Sequence, residues 1–326
     1  MLWMGLDLSC MHLVGLAAAL GLALLIDRLW GEPPARLHPV VAMGRYLSLC
    51  RRALPAQGRG RAFVAGALCW LLGAAAVGLL AWGAQRLLLD ELPAVAGVVL
   101  LAVLLKPLLA WRMLRDEVQA VEAALVQSLE AGRDRLGWLV SRDVSALSAA
   151  QVRESAIESL AENLNDSVVA PLFWFVLLGL PGAAVYRLAN TADAMWGYRG
   201  VYQGRDWTWA GKWAARADDV LSWLPARLTA LLLALVHRGL PWRTLRAQAA
   251  RTPSPNSGWP MAAMALALDV ALHKPQVYVL HEGGRTPQPQ DTARAIALAS
   301  RVVAAMALLA TAILLGAAFL MRETCT

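Results

Sequence analysis

Charge is what this sequence has least of. Lys, Arg, Asp and Glu make up 16% of the 326 residues and 58% are hydrophobic, whereas a water-soluble domain carries about 25% charged residues. That shortfall excludes a soluble globule, a disordered chain and a coiled coil, and places the chain in a bilayer. Cysteine is scarce too: Cys10, Cys50, Cys69 and Cys325 form no CxxC pair and no zinc spacing, so neither a disulfide framework nor a structural zinc is indicated. Missing as well are a P-loop, a dinucleotide-binding glycine fingerprint, an HExxH motif and a Ser-His-Asp pattern. The net charge of +7 lies in loops between apolar runs rather than on one soluble face, which points to anionic lipid headgroups and not to nucleic acid.

A helix crossing ~30 Å of hydrocarbon needs about 20 mostly apolar residues. Residues 8–26, 62–84 and 302–321 meet that requirement, and 94–111 does so with Lys106 near one end, where its ammonium is expected to snorkel to the headgroups. Met1 to His12 holds no Lys or Arg, so the first run is expected to be a retained span rather than an export signal. Arginines 28, 36, 45, 51, 52, 59 and 61 crowd the first loop, and the positive-inside rule puts that loop in the cytoplasm. Two further stretches are interrupted: 168–188 by Pro171, Gly179, Pro181 and Gly182, and 220–240 by Pro225 and Arg227. A re-entrant or surface-lying pair would keep the basic 190–219 segment on the cytoplasmic side. The expected architecture is an all-α integral membrane protein, a polytopic helical bundle with broken or re-entrant helices and cytoplasmic-side polar loops, folded as a single domain over 1–326. The Trp residues are expected to act mainly as interfacial anchors.

Chemistry concentrates in a few places. After Ser148, a plausible N-cap, helical spacing puts Glu154, Glu158 and Glu162 at successive i, i+4 positions, with Asp166 extending the stripe. Stacked like charges need something positive facing them. One reading is a Mg²⁺ or Mg-nucleotide site, aided by Asn163 and Asn165; the other is a solvated face paired to Arg142 and Arg153. Asn190 and Asp193 lie one helical turn apart after an apolar segment, as a site or as a cap or pair for Arg187 or Arg199. Arg227 must find Asp218, Asp219 or an anionic ligand. Ser254, Asn256 and Pro260 mark a helix start whose free N–H groups suit an anion, although such loops also merely turn the chain. His38 reads as an acid-base candidate or as a residue orienting its loop.

Taken in order, these stretches resemble the CobD/CbiB family of adenosylcobinamide-phosphate synthases: Asp27-x-x-x-Gly-Glu-Pro with His38-Pro-Val and Gly44-Arg; Arg142-Asp-Val-Ser; Glu158-Ser-Leu-Ala-Glu-Asn-Leu-Asn-Asp166; Asn190-Thr-Ala-Asp193; Ala217-Asp-Asp with Leu224-Pro-Ala-Arg-Leu-Thr; and Pro253-Ser-Pro-Asn-Ser-Gly-Trp-Pro. The resemblance implies cobalamin (vitamin B12) biosynthesis: an amide bond joins adenosylcobyric acid to an aminopropanol phosphate, with ATP and Mg²⁺. It implies Glu158, Glu162 and Asp166 on metal, Glu162, Asn163, Asn190 and Asp193 at the reacting groups, Arg216 and Arg227 on phosphate, and Ser254 and Asn256 at the anion end. The implied partners are the corrinoid, the amino-alcohol phosphate, membrane lipid, and a second copy or other corrinoid-pathway membrane enzymes. The implied place is the bacterial inner membrane, with the active side cytoplasmic. Trp196, and the lack of glycines before Tyr278, depart from the pattern and bear on the amine substrate. A non-enzymatic signalling protein similar to AmpE shares an Ala-Pro-Leu-Phe-Trp stretch and is the alternative; the acidic stripe and the Ser-Pro-Asn loop speak against it. A prenyl transferase would need a further acid beside Asn190 and Asp193, and a transporter would need an internal repeat.

Overall fold

The computed structural model describes residues 9–55 and 58–324, so Leu8, which opens the first expected span, and Cys325 lie outside the described residues. The helices in chain order are α1 (Cys10–Trp30), α2 (Pro39–Ala53), α3 (Arg59–Arg86), α4 (Ala94–Leu105), α5 (Trp111–Gln127), α6 (Leu129–Leu136), α7 (Ala149–Leu164), α8 (Ala170–Trp196), α9 (Lys212–Leu221), α10 (Trp223–Val236), α11 (Trp242–Ala249), α12 (Gly258–Leu268) and α13 (Pro289–Thr324). Two antiparallel hairpins interrupt them, β1 (Val201–Tyr202) with β2 (Arg205–Asp206), and β3 (Leu272–Lys274) with β4 (Tyr278–Leu280).

Among the described residues, five helical stretches are long and apolar enough to cross a membrane: Cys10–Trp30, Arg59–Glu91, Ala94–Gln127, Ala149–Trp196 and Pro289–Met321. The four uninterrupted runs of the sequence each fall in one of them. Residues 168–188, expected to be re-entrant or surface-lying, instead belong to a stretch that qualifies as a span by length and composition. The 220–240 stretch lies in α10, which together with α9 passes the same test across a 43° bend.

The chain divides into two compact units built from interleaved segments. The first comprises residues up to 110, residues 170–221 and the end of α13. Within it, Gly179 takes a left-handed backbone (φ 70°) and Pro181 offers no N–H, so the helical ladder of α8 breaks. A polar group freed at membrane depth needs a partner. The Leu180 N–H donates to Oε1 of buried Gln85 on α3, at 2.7 Å.

Lys106 does not snorkel. It is 3% exposed, and its Nζ lies 2.8 Å from Glu32 Oε1 and 3.3 Å from Asp27 Oδ1. Glu32 in turn meets His38 Nε2 at 3.1 Å, while His38 Nδ1 accepts the Val40 N–H at the start of α2. His38 therefore orients its loop rather than standing free for acid-base work. The belt-anchor reading of the tryptophans also needs correction, because Trp196 and Trp207 are fully buried and stacked 5.9 Å apart. The β1–β2 hairpin sits against the first loop: Arg51 donates to Gln203, and Arg205 donates to the carbonyls of Arg51, Leu54 and Pro55. The first loop and part of the 190–219 segment thus share one end of this unit.

The second unit comprises residues 111–169 and 222–306. Its centre is α7, started by a reciprocal capping box between Ser148 and Gln151. Helices α5 and α12 and strand β3 pack on α7, and α10 and α11 pack on α12. Arg153 does not face the acidic stripe; it makes a two-pronged contact with Glu122 on α5, which also accepts from Thr292 of α13.

Candidate active site

The acidic side of α7 is buried rather than solvated, with Glu154 and Glu158 at 3% and 5% exposure. Burying carboxylates costs free energy unless cations or hydrogen bonds compensate. The compensation comes from two segments distant in sequence, the loop 137–148 and the β3–β4 hairpin.

Two bonds pin the loop. Arg133 Nε donates to the Leu147 carbonyl at 2.7 Å, and Asp143 Oδ1 accepts the Ser145 N–H at 2.9 Å, closing an Asx turn. That N–H holds the Asp143 carboxyl below its ordinary value. The turn follows directly on Arg142, whose Nη2 donates to Ser155 Oγ and lies 3.5 Å from Glu158 Oε2. Arg142 Nε and Nη1 and Glu158 Oε1 are buried and have no hydrogen-bond partner of normal geometry among the described residues.

These groups line a polar cavity of about 180 Å³, walled also by Ser159, Glu162, Asn163, Lys274 and Tyr278. Burial, and then the Glu158 and Glu162 carboxylates beside it, push the Tyr278 phenol well above its ordinary value. It therefore remains a neutral donor across the physiological range. Asn163 Nδ2 donates to the Ser159 carbonyl at 2.9 Å, which fixes its amide on the same wall. Lys274 and Tyr278 also line a second, more open cavity of about 700 Å³, with Ser148, Gln151, Glu154 and His273. There Glu154 Oε2 accepts the His273 backbone N–H at 3.0 Å and lies 3.1 Å from its Nδ1.

Of the residues singled out in the sequence, Glu158, Glu162 and Asn163 share the smaller cavity. Asp166 is not among its walls. It lies in a π-helical turn, Asn165–Val169, where it accepts from Asn165 Nδ2 at 2.7 Å; the wider turn takes it out of the i, i+4 phase. Among the described residues no three His, Cys, Asp or Glu side chains group to hold a metal, so the expected three-carboxylate set is not assembled. The donors that are present still fit a hard cation shared with a substrate. Mg²⁺ characteristically takes one or two protein carboxylates and completes its shell with water and phosphate oxygens. The buried Glu158 carboxylate, beside Arg142 and the Tyr278 hydroxyl, and Glu162 both lie on that cavity.

Arg227 pairs with neither Asp218 nor Asp219. Its guanidinium donates to the carbonyls of Trp223 and Pro255 and to Asn256 Oδ1, and it lies over the rings of Trp223 and Trp259. Ser254 Oγ accepts the N–H groups of Asn256 and Ser257. The helix-start donors expected to hold an anion are thus partly satisfied within the turn, and Arg227, Ser254 and Asn256 form a brace between α10 and the start of α12. Asn190, Asp193 and Arg216 belong to the first unit. There Asn190 accepts from Arg187 at 3.4 Å, and Arg216 and Arg199 lie near Asp219. His273, Lys274 and Tyr278 were not singled out. Their one sequence signal is a short Val277-Tyr-Val run after Pro275-Gln, a strand-like interruption in a helical chain.

Fold and cavity define a multi-span helical protein with a buried, charge-lined pocket of the kind that grips small polar reactants. The chain belongs to the CobD/Cbib protein family, whose profile matches residues 20–318. It is 42% identical to the cobalamin biosynthesis protein CobD of Chromobacterium violaceum over 327 residues, covering 92% of this chain and 98% of that one. It is also 42% identical to the probable cobalamin biosynthesis protein CobD of Methanothermobacter thermautotrophicus over 265 residues, 79% of this chain and 84% of that one. The probable cobalamin biosynthesis protein CobD of Pyrococcus abyssi is 41% identical over 287 residues, 87% and 92% of the two chains. No solved structure matches.

Proposed function

We propose that the protein acts in cobalamin biosynthesis, joining a carboxylate of adenosylcobyric acid to the amine of an aminopropanol phosphate to give adenosylcobinamide phosphate, with ATP and Mg²⁺. Membership of the CobD/Cbib family supports the pathway. The observation that carries the reaction is the smaller cavity, where a half-buried arginine keeps two buried nitrogens without hydrogen-bond partners beside two carboxylates, a lysine and a neutral phenol. A carboxylate is a poor electrophile until phosphoryl transfer turns it into an acyl phosphate, a mixed anhydride whose leaving group is phosphate, so the site must hold several negative oxygens at once. Arg142, with a free edge of its fork, and Lys274 bind phosphate oxygens. Glu158 and Glu162 hold Mg²⁺, which when bound supplies neutralisation of the phosphate charge. Tyr278 and Asn163 donate hydrogen bonds to oxygens gaining charge. Asn190, Asp193 and Arg216 are kept as proposed substrate-contacting residues. The membrane is proposed to be the bacterial inner membrane with the pocket on the cytoplasmic side, and another copy or other membrane enzymes of the pathway are proposed partners.

The test is an assay of detergent-purified protein with adenosylcobyric acid, aminopropanol phosphate, ATP and Mg²⁺, following the amide product by mass. Product that requires both ATP and Mg²⁺ and is lost in Glu162→Gln at unchanged Tm is the expected result. A wild-type protein that makes no amide under these conditions sinks the proposal, and a Glu162→Gln variant as active as wild type removes Glu162 from the site.

A further inference from the structure

We infer that His273 is the general base of the amide-forming step and that Glu154 is its positioning residue. This rests on the proposed reaction and adds a group that reaction needs. At neutral pH an alkyl amine is an ammonium ion with no lone pair to attack with. One proton must therefore leave the ammonium to solvent to free the lone pair; the lone pair then forms the N–C bond, the C–O bond to phosphate breaks with its electron pair going to the departing phosphate, and a second proton must leave nitrogen. A neutral acceptor beside the cavity has to take it.

The geometry supplies one. Glu154 is 3% exposed, and its Oε2 faces both the His273 backbone N–H and ring Nδ1. A carboxylate accepts and does not donate, so the ring proton sits on Nδ1 and the lone pair on Nε2. The ring itself is 44% exposed and forms part of the wall of the larger cavity, leaving Nε2 accessible. His273 lines the larger cavity, while Lys274, next to it in β3, and Tyr278, paired with Lys274 across the hairpin, line both cavities and form their shared wall. The ionisable groups facing the pair are Glu154 from α7, Lys274 and Tyr278 from the hairpin, and Arg142 from the loop before α7, which acts on Glu154; Ser148, Gln151 and Thr286 complete the wall without charge. Among the described residues no other imidazole lines either cavity.

A contact that merely tied β3 to α7 would have the same distances, so the test must separate the two roles. His273→Asn keeps a donor near the Nδ1 position, and with it the bond to Glu154, but removes Nε2. The expected result in the amide assay is a fall in kcat of about 10²- to 10⁴-fold, the range for loss of a general base. KM and Tm should stay near wild type, the acidic limb of the pH–kcat profile should disappear, and added imidazole should restore part of the rate. Glu154→Gln, which still accepts a hydrogen bond but carries no charge, should lower kcat less and leave Tm unchanged. It serves as the deciding variant where His273→Asn does not fold, and wild-type kcat in it then overturns the inference. Wild-type kcat and an intact acidic limb in His273→Asn overturn it while leaving the synthase reading standing. A wild-type protein that forms no amide overturns both.

Discussion

Two buried charge clusters in this chain look alike in composition and differ in what they leave over. In the first unit Lys106 lies against Asp27 and Glu32 at 3.3 and 2.8 Å, and Glu32 continues to His38. Every charge in this cluster has its opposite within ion-pair distance. In the second unit Arg142 has one carboxylate, Glu158, at 3.5 Å, and keeps Nε and Nη1 buried without a partner. A cluster closed on itself fastens helices. A cluster with buried donors and an acceptor left over, opening on a cavity, is prepared for a ligand that brings the missing charge.

The comparison breaks or sharpens under mutation. Lys106→Met strands the buried Asp27 carboxylate and takes the ammonium from the half-buried Glu32, and removing one partner of a buried pair costs about 3–5 kcal/mol. The expected outcome is a large drop in Tm and in the yield of folded protein, measured by fluorescence-detected size exclusion after heating. A variant with wild-type Tm would show that this cluster is not a fastening. Arg142→Lys should do the opposite, leaving Tm within a few degrees while losing activity by about 10²-fold, because an ammonium cannot reproduce the guanidinium fork. If it were as active as wild type, the spare nitrogens would not be binding substrate.

Tyr278→Phe is the smaller test of the same cavity. Loss of one neutral donor predicts a decrease of about tenfold in kcat. The same variant carries a pH signature. The folded-state value of Tyr278 is raised, by burial first and by Glu158 and Glu162 second. Its contribution to stability is therefore complete below the unfolded value of about 10 and is lost as pH rises beyond it. Wild-type Tm should fall more steeply than that of Tyr278→Phe above that pH, and the two should run parallel below it.

How much of this was legible in the sequence follows from the range of each interaction. The apolar runs, the Ser148 cap, and Glu158, Glu162 and Asn163 on one side of α7 depend on neighbours within a few turns, and composition and spacing expose them. Lys106 was misread because its partners sit in the first loop, beyond any local window. Asp166 left the stripe because a π turn changes the phase, and no residue type announces such a turn. His273 stayed invisible because it meets Glu154 across 119 residues. The interleaving of the two units has the same origin: contiguous stretches of sequence do not correspond to compact bodies here.

The smallest predicted effect tests the aim of Arg142 rather than its charge. Asp143 is exposed, and its carboxyl is held below its ordinary value by the Ser145 N–H, so the turn is strongest while Asp143 is ionised. A depressed carboxyl contributes order that is present above the unfolded value, about 3.9, and is lost as pH falls through the folded one. Near neutrality the turn is fully formed, so removing it by Asp143→Ala loosens the loop that carries Arg142 without touching the cavity. A weak local bond of this kind predicts a rise in KM of about threefold with kcat and Tm unchanged. Asp143→Asn, which still accepts the N–H, should recover wild-type KM. If alanine and asparagine behave alike, the loop is held by the Arg133 bond to Leu147 instead, and the spare nitrogens of Arg142 owe their position to Ser155 and Glu158 alone.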